Sequence, residues 1–202
     1  MKPLSLRAFA LSTLAIVAAS GLTHVTNAAP AAAAPEKPFV ILVVFPHPSE
    51  NVWFSDSWGA RRPGGRRHTG TDIISPRGTE IVAVADGVIT KLGQSRMSGF
   101  NIHIDHGNGW TTAYLHLNND TPGTDDGKGG ASTAFYPALS EGDTVRAGQV
   151  IGYVGDSGNA EHTLPHTHFE IKINGKKRNP YPFLTDVWNR EHRFPNSAAG
   201  PL

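Results

Sequence analysis

Cysteine is missing from the 202-residue chain. Its absence excludes a disulfide scaffold, a cysteine-type zinc finger, a thiol nucleophile, an iron–sulfur site and a lipidated cysteine. Charge of one sign is lacking too. The count is 18 Lys+Arg against 17 Asp+Glu, a formal net charge of +1, so no one-sided field points to nucleic acid as a partner. The longest apolar run falls short of the roughly 20 residues a spanning helix needs. Beyond the N-terminal segment no window keeps a 3.6-residue period over three turns, which argues against a helix bundle. What is abundant is turn formers, 22 Gly and 15 Pro, and histidine, which occurs 10 times. Without thiolates, any transition metal must be held by imidazole and carboxylate, so the positions of the histidines matter most.

The chain opens with Lys2 and Arg7, an apolar run from Ala8 to Leu22, and then small residues (VTNAAPAAAAPEKP). Charged, apolar and small-residue parts in that order read as a secretory signal peptide over residues 1–28, with cleavage between about 28 and 34. An Ala/Pro-rich linker (29–38), one domain (39–188) and a flexible tail (189–202) are expected to follow. An exported domain without disulfides has to rely on packing or on metal for stability.

The later apolar stretches are short and rich in Val, Ile and Tyr: 39–45, 80–85, 87–92, 101–105, 110–117, 149–154 and 168–173. Gly, Asn, Asp and Pro punctuate them (ADG, HGNG, EGD, GDSGN, NGKK). Such runs read as strands and hairpins, so the expected fold class is mainly β, an antiparallel sheet. One short helix is expected within 181–188. Two polar, Gly-rich segments read as surface loops, 56–67 with four arginines and the long 118–137. Its acidic run, Asp120, Asp125 and Asp126, lacks EF-hand spacing and reads as a mobile acidic loop rather than a calcium site.

His166 and His168 are two apart in a strand-like run, so both imidazoles point to one face. The bland alternative is a solvated polar pair. His68 and Asp72 are four apart across Thr-Gly-Thr, which disfavours helix. In an extended segment an even spacing again puts both on one side, and Gly70 removes bulk between them. The alternative there is a loop salt bridge to an arginine. Two imidazoles and one carboxylate around one point would suit Zn²⁺ and leave a place for water, the pattern of a catalytic rather than a structural site. His116 ends a strand-like run before the long loop and is a candidate for proton transfer, or a satisfied buried histidine. The other histidines (47, 103, 106, 162 and 192) read as structural or solvated.

On these residues the chain closely resembles the lysostaphin-type (LytM-type) zinc metallopeptidases, which cut peptide bonds in peptidoglycan. The resemblance is carried by His68-x-x-x-Asp72, Tyr114-Leu115-His116 and His166-x-His168-Phe169-Glu170. Connecting phrases such as VAVADGVI and LSEGDTVRAGQVIGYVGDSG also match. It runs from about Asp56 to Leu184.

The resemblance implies His68, Asp72 and His168 as ligands of one Zn²⁺, and His116 with His166 as the catalytic pair. It also implies an antiparallel sheet whose groove is walled by loops. The expected function is an exported zinc endopeptidase of peptidoglycan peptides. The alternative is a non-enzymatic wall-binding or hydrolase-activating domain on the same fold. Peptidoglycan peptide is then the expected partner, with no nucleic acid and no stable membrane anchor after cleavage. The expected location is periplasmic, wall-associated or extracellular, and the expected state is a monomer. Two departures stand out: Thr167 replaces a residue usually apolar, and segment 118–137 is longer than usual.

Overall fold

The computed structural model describes residues 40–192. The signal-peptide and linker readings (1–28, 29–38) and the tail from 193 lie outside the described residues.

In chain order the elements are β1 (Trp53–Phe54), β2 (Thr71–Ile74), β3 (Glu80–Val82), β4 (Gly87–Ser95), β5 (Gly99–Asp105) and β6 (Trp110–Leu117). There follow α1 (Ala131–Ala134), β7 (Thr144–Val145), β8 (Val150–Tyr153), β9 (His166–Ile173), β10 (Lys176–Arg178) and α2 (Tyr181–His192). The main sheet runs β1-β2-β9-β6-β5-β4-β7, with β10 also paired to β9, and every pairing is antiparallel. β3 and β8 make a small second sheet. The expected antiparallel β class is therefore what the chain forms.

Alternation decides what each strand buries. Along β9, Thr167, Phe169 and Ile171 are wholly buried, and Phe169 packs edge-on against Tyr114 of β6. The core also takes in Ile81 and Ile151 of the small sheet, and Leu184 and Val187 of α2.

Three expectations change. The run over 40–45 forms no strand. A strand needs a pairing edge, and here only the Val43 and Val44 amides find one, both donating to the Val84 carbonyl. The helix expected over 181–188 continues to His192, so residues 189–192 are helical rather than tail. Docking extends it: Arg190 donates to the Leu42 carbonyl at 2.5 Å, and Glu191 accepts from the Phe45 amide at 2.8 Å.

The acidic run in 118–137 is also tied down. Asp120 is fully buried, accepts from Arg77 and takes the Gly127 amide at 2.7 Å. Arg77 bridges to Asp156 at 2.6 Å and Asp125 at 3.1 Å. The cation among these carboxylates is thus a guanidinium.

Candidate metal centre

β9 presents His166, His168 and Glu170 on the face opposite Phe169. Its register sets Asp72 of β2 directly against His168 on one side and Leu115 of β6 against it on the other. His68 lies just before β2, its amide held by the Ala60 carbonyl at 2.9 Å. Gly70, between His68 and Asp72, rests on the His168 ring: a Cβ there would come within 2.5 Å of its Nε2.

Three donor atoms converge. His68 Nε2, His168 Nδ1 and Asp72 Oδ1 lie 2.9 Å from one another. Their atoms lie close enough to share a metal ion; the one other such group among the described residues, Asp120, Asp125 and Asp156, already holds the Arg77 guanidinium. The outer contacts set the tautomers. His68 Nδ1 lies 3.1 Å from the Ser57 carbonyl and 3.0 Å from its hydroxyl. His168 Nε2 lies 3.2 Å from Glu170 Oε1. In the tautomers that bind a metal, each ring donates its outer N–H to an oxygen and turns an inner lone pair toward the carboxylate oxygen; with no metal bound, those inner nitrogens carry protons and donate to Asp72 instead. Three acceptors aimed at one point repel unless a cation joins them. The corners of such a triangle are about 1.7 Å from its centre, inside the ~2.0–2.1 Å bond lengths of zinc to N and O. The donor set therefore fits zinc.

The surroundings reinforce that polarity. Arg62 Nη2 donates to Asp72 Oδ2 at 2.5 Å, so the carboxylate is used on both oxygens. Burial pushes the Asp72 carboxyl up, but the bonds from His168 and His68 outweigh it and hold it far below the ordinary range. Burial alone would lower His168; its bonds to Asp72 and Glu170 raise it instead. Glu170 takes Lys177 Nζ at 2.5 Å and Thr69 Oγ1 at 3.1 Å. Burial favours its neutral form, yet His168 and Lys177 bring it down to about 2.

His116 and His166 flank the cluster, their ring centres 5.3 Å apart. His116 Nδ1 donates to the Ser157 carbonyl and His166 Nδ1 to the Leu164 carbonyl, each at 2.8 Å. Both keep an Nε2 lone pair, and that of His166 is 3.9 Å from Asp72 Oδ1. Burial, then the neighbouring His166, lowers His116 to about 4. His116 reaches this face through a β-bulge. Asn101 pairs with Leu115 and Phe100 with Leu117, which leaves His116 as the extra residue at φ 64°. Without the bulge it would share the parity of core-facing Tyr114.

All five expected site residues thus line one groove of about 650 Å³. Sequence reasoning gave no role to Ser57, Glu170 or Lys177; it offered a salt bridge from Asp72 to a loop arginine as the alternative to a metal site, and Arg62 makes that bridge alongside the donor triangle. Glu170 was legible, because it continues the parity of 166 and 168. Ser57 and Arg62 arrive from the 56–67 loop and Lys177 from β10, and no local pattern specifies which atoms they meet. His47 is not solvated: it is buried and bonded to Ser75 Oγ at 2.8 Å and Thr167 Oγ1 at 2.9 Å. His106 stacks on Trp110 and His192 on Trp188.

A family model described as peptidase family M23 matches residues 66–180. The DD-carboxypeptidase/endopeptidase Mpg of Neisseria meningitidis is 42% identical over 115 residues, covering 57% of this chain and 22% of that protein. The L-Ala–D-Glu endopeptidase of Bacillus subtilis is 34% identical over 158 residues, covering 72% of this chain and 44% of its own length. The chain therefore spans less than half of either curated relative. The catalytic domain of lysostaphin from Staphylococcus simulans superposes with a TM-score of 0.53 at 28% identity, covering 67% of this chain and 93% of that one.

Proposed function

The chain belongs to peptidase family M23, and from that premise we propose that it is an exported zinc-dependent endopeptidase. Its substrates are peptide bonds in the cross-links or stem peptides of peptidoglycan. The observation that carries this reading is the convergence of His68 Nε2, His168 Nδ1 and Asp72 Oδ1 at 2.9 Å, with both rings' outer N–H groups already engaged. These three residues would hold one zinc ion. When bound, zinc supplies Lewis acidity, which acidifies a water and polarises a carbonyl. The charged and apolar opening of the chain supports export through a signal peptide over residues 1–28.

The remaining work belongs to the protein's own groups. His116 and His166 keep Nε2 free at the edge of the donor triangle, and their backbone anchors fix both rings. A neutral imidazole is the form that accepts a proton, and burial keeps His116 neutral near pH 7. A conjugate acid of low pKa then gives the proton up readily, as the leaving amine requires. The ring that is not taking the proton is placed to donate a hydrogen bond to the developing oxyanion. The complete donor set and two free Nε2 atoms favour hydrolysis over a non-enzymatic activator.

Two variants separate the roles. His168→Ala is expected to lose stoichiometric zinc by metal analysis and to lose cleavage of purified sacculi. His116→Ala is expected to keep the metal while turnover drops by roughly 100-fold or more. A His168→Ala protein that still bound one zinc and released muropeptides would sink the assignment.

A further inference from the structure

The groove carries four cationic side chains, and they divide into two kinds. Arg62 is spent on Asp72 and Lys177 on Glu170, each at 2.5 Å. Arg66 and Arg67 also line the groove, but among the described residues neither has a carboxylate partner. Each is held by a backbone carbonyl instead. Arg66 Nε donates to Pro63 O and Arg67 Nη1 to Gly59 O, both at 3.1 Å. One donor of five is used on each guanidinium, so a planar, charged face stays available for a bidentate partner.

Their position follows from the backbone. The Arg62 amide donates to the Arg66 carbonyl at 3.0 Å, and Arg61 bridges antiparallel to Arg67. Gly64 and Gly65 close the turn at φ 74° and 75°, a region that side-chain-bearing residues rarely adopt. His68 is the next residue after Arg67, so this small hairpin places both arginines beside the donor set along the chain, and both line the same groove. Part of the lining is different in kind. It comes from Met97 and Leu164, 46% and 68% exposed.

From this we infer that Arg66 and Arg67 form a carboxylate-recognition subsite, which selects peptides bearing a free carboxylate and aliphatic side chains beside the scissile bond over uncharged bridges such as polyglycine. The inference rests on the peptidase reading for what the groove holds. A polyanionic wall polymer would favour cations on an outer face. These two instead line the groove that contains the donor set, which Met97 and Leu164 also line, and that favours a peptide.

The test reads binding, so that it stands apart from catalysis. Matched acidic stem peptides, with one carboxylate free or amidated, are titrated against the full chain in its turnover-deficient His116→Ala form. Zinc content is checked in parallel. The free acid is expected to bind about tenfold tighter than the amide, with the advantage shrinking as salt rises. Arg66→Gln with Arg67→Gln should abolish that difference and leave the amide's affinity and the zinc content unchanged. Equal affinity of acid and amide, including no binding by either, overturns the inference. So does a preference that survives in the double variant. Loss of polyphosphate binding in that variant, with acid and amide peptides alike, also overturns it and assigns the arginines to a polymer. Failure of the peptidase reading looks different: the acid preference is present, yet the wild-type chain cleaves neither peptide.

Discussion

Asp72 shows how one side chain serves two masters. Oδ1 faces the two imidazoles, while Oδ2 is taken by Arg62 at 2.5 Å. The guanidinium therefore restricts Asp72 to one oxygen for a metal and fixes its direction. Groups that orient a ligand in this way usually contribute 10–100-fold to metal affinity. Arg62→Met is expected to weaken zinc binding by about tenfold in competition with a chromophoric chelator. Arg62→Lys should restore only part, because a point charge replaces a fork. Unchanged affinity in the methionine variant would reduce Arg62 to a surface ion pair. His68, Asp72 and one histidine of the 166/168 pair were legible from spacing; the family resemblance singled out His168. Arg62 was visible only as one of four loop arginines, since its contact depends on how the loop folds back.

At the scale of elements, the bulge in β6 and the turn after β8 act together. The bulge turns His116 into the groove, and Ser157 holds it there by its carbonyl. Ser157 is fixed in turn: its hydroxyl donates to the Leu117 carbonyl at 2.5 Å and accepts the Phe100 amide at 3.0 Å. Gly99 makes this packing possible. It sits at φ 56°, and a Cβ there would collide with the Ser157 hydroxyl and backbone. Gly99→Ala is therefore expected to displace the anchor of His116. The expected signature is a kcat lowered by roughly tenfold or more with zinc stoichiometry intact. Loss of zinc in step with activity would mean that the whole sheet had shifted instead. A Tyr-Leu-His run does not announce a bulge. The irregularity exists because β5 and β6 differ by one residue between their paired ends, a property of two strands.

The whole molecule joins a loop, the end of β2 and β9 through a buried histidine. His47 bridges Ser75 and Thr167, so the hydroxyl at 167 is matched by a partner beneath the sheet. Burial, then His166, pushes His47 down from 6.5 to about 3. Between those values the unfolded chain binds the extra proton and the folded chain does not. Stability must then fall as pH drops below about 6.5, by up to about 1.4 kcal/mol per pH unit from this group. Urea denaturation at pH 7.5 and 5 should show that loss, and His47→Gln should flatten it by roughly 2 kcal/mol. An identical slope in the variant would clear His47 of the effect. The donor triangle has a global consequence as well. Three mutually repelling acceptors are relieved by a cation, and ligand that binds only the folded state stabilises it by mass action. At about 1,000 times Kd this amounts to about 4 kcal/mol, or roughly 10 °C in Tm for a domain of this size. A chelator should lower Tm by that order, and a Tm indifferent to it would argue against a tightly held ion.

Local pattern determined a good deal of this protein. A period of two placed His166, His168 and Glu170 on one face. The even spacing of His68 and Asp72 across a glycine put them on one side, and short β-rich runs between turn formers specified an antiparallel class. Those properties depend on neighbours along the chain, so they are written in it directly. Tertiary structure decided what depends on distant partners. The 40–45 run stayed unpaired because no strand edge met it. α2 reached His192 because Leu42 and Phe45 met its last turn. Asp120 went into the interior because Arg77 was there to pair it. The absence of cysteine left imidazole and carboxylate as the donors for a metal, but only the register of β2 against β9 brought two nitrogens and an oxygen within 2.9 Å of one another.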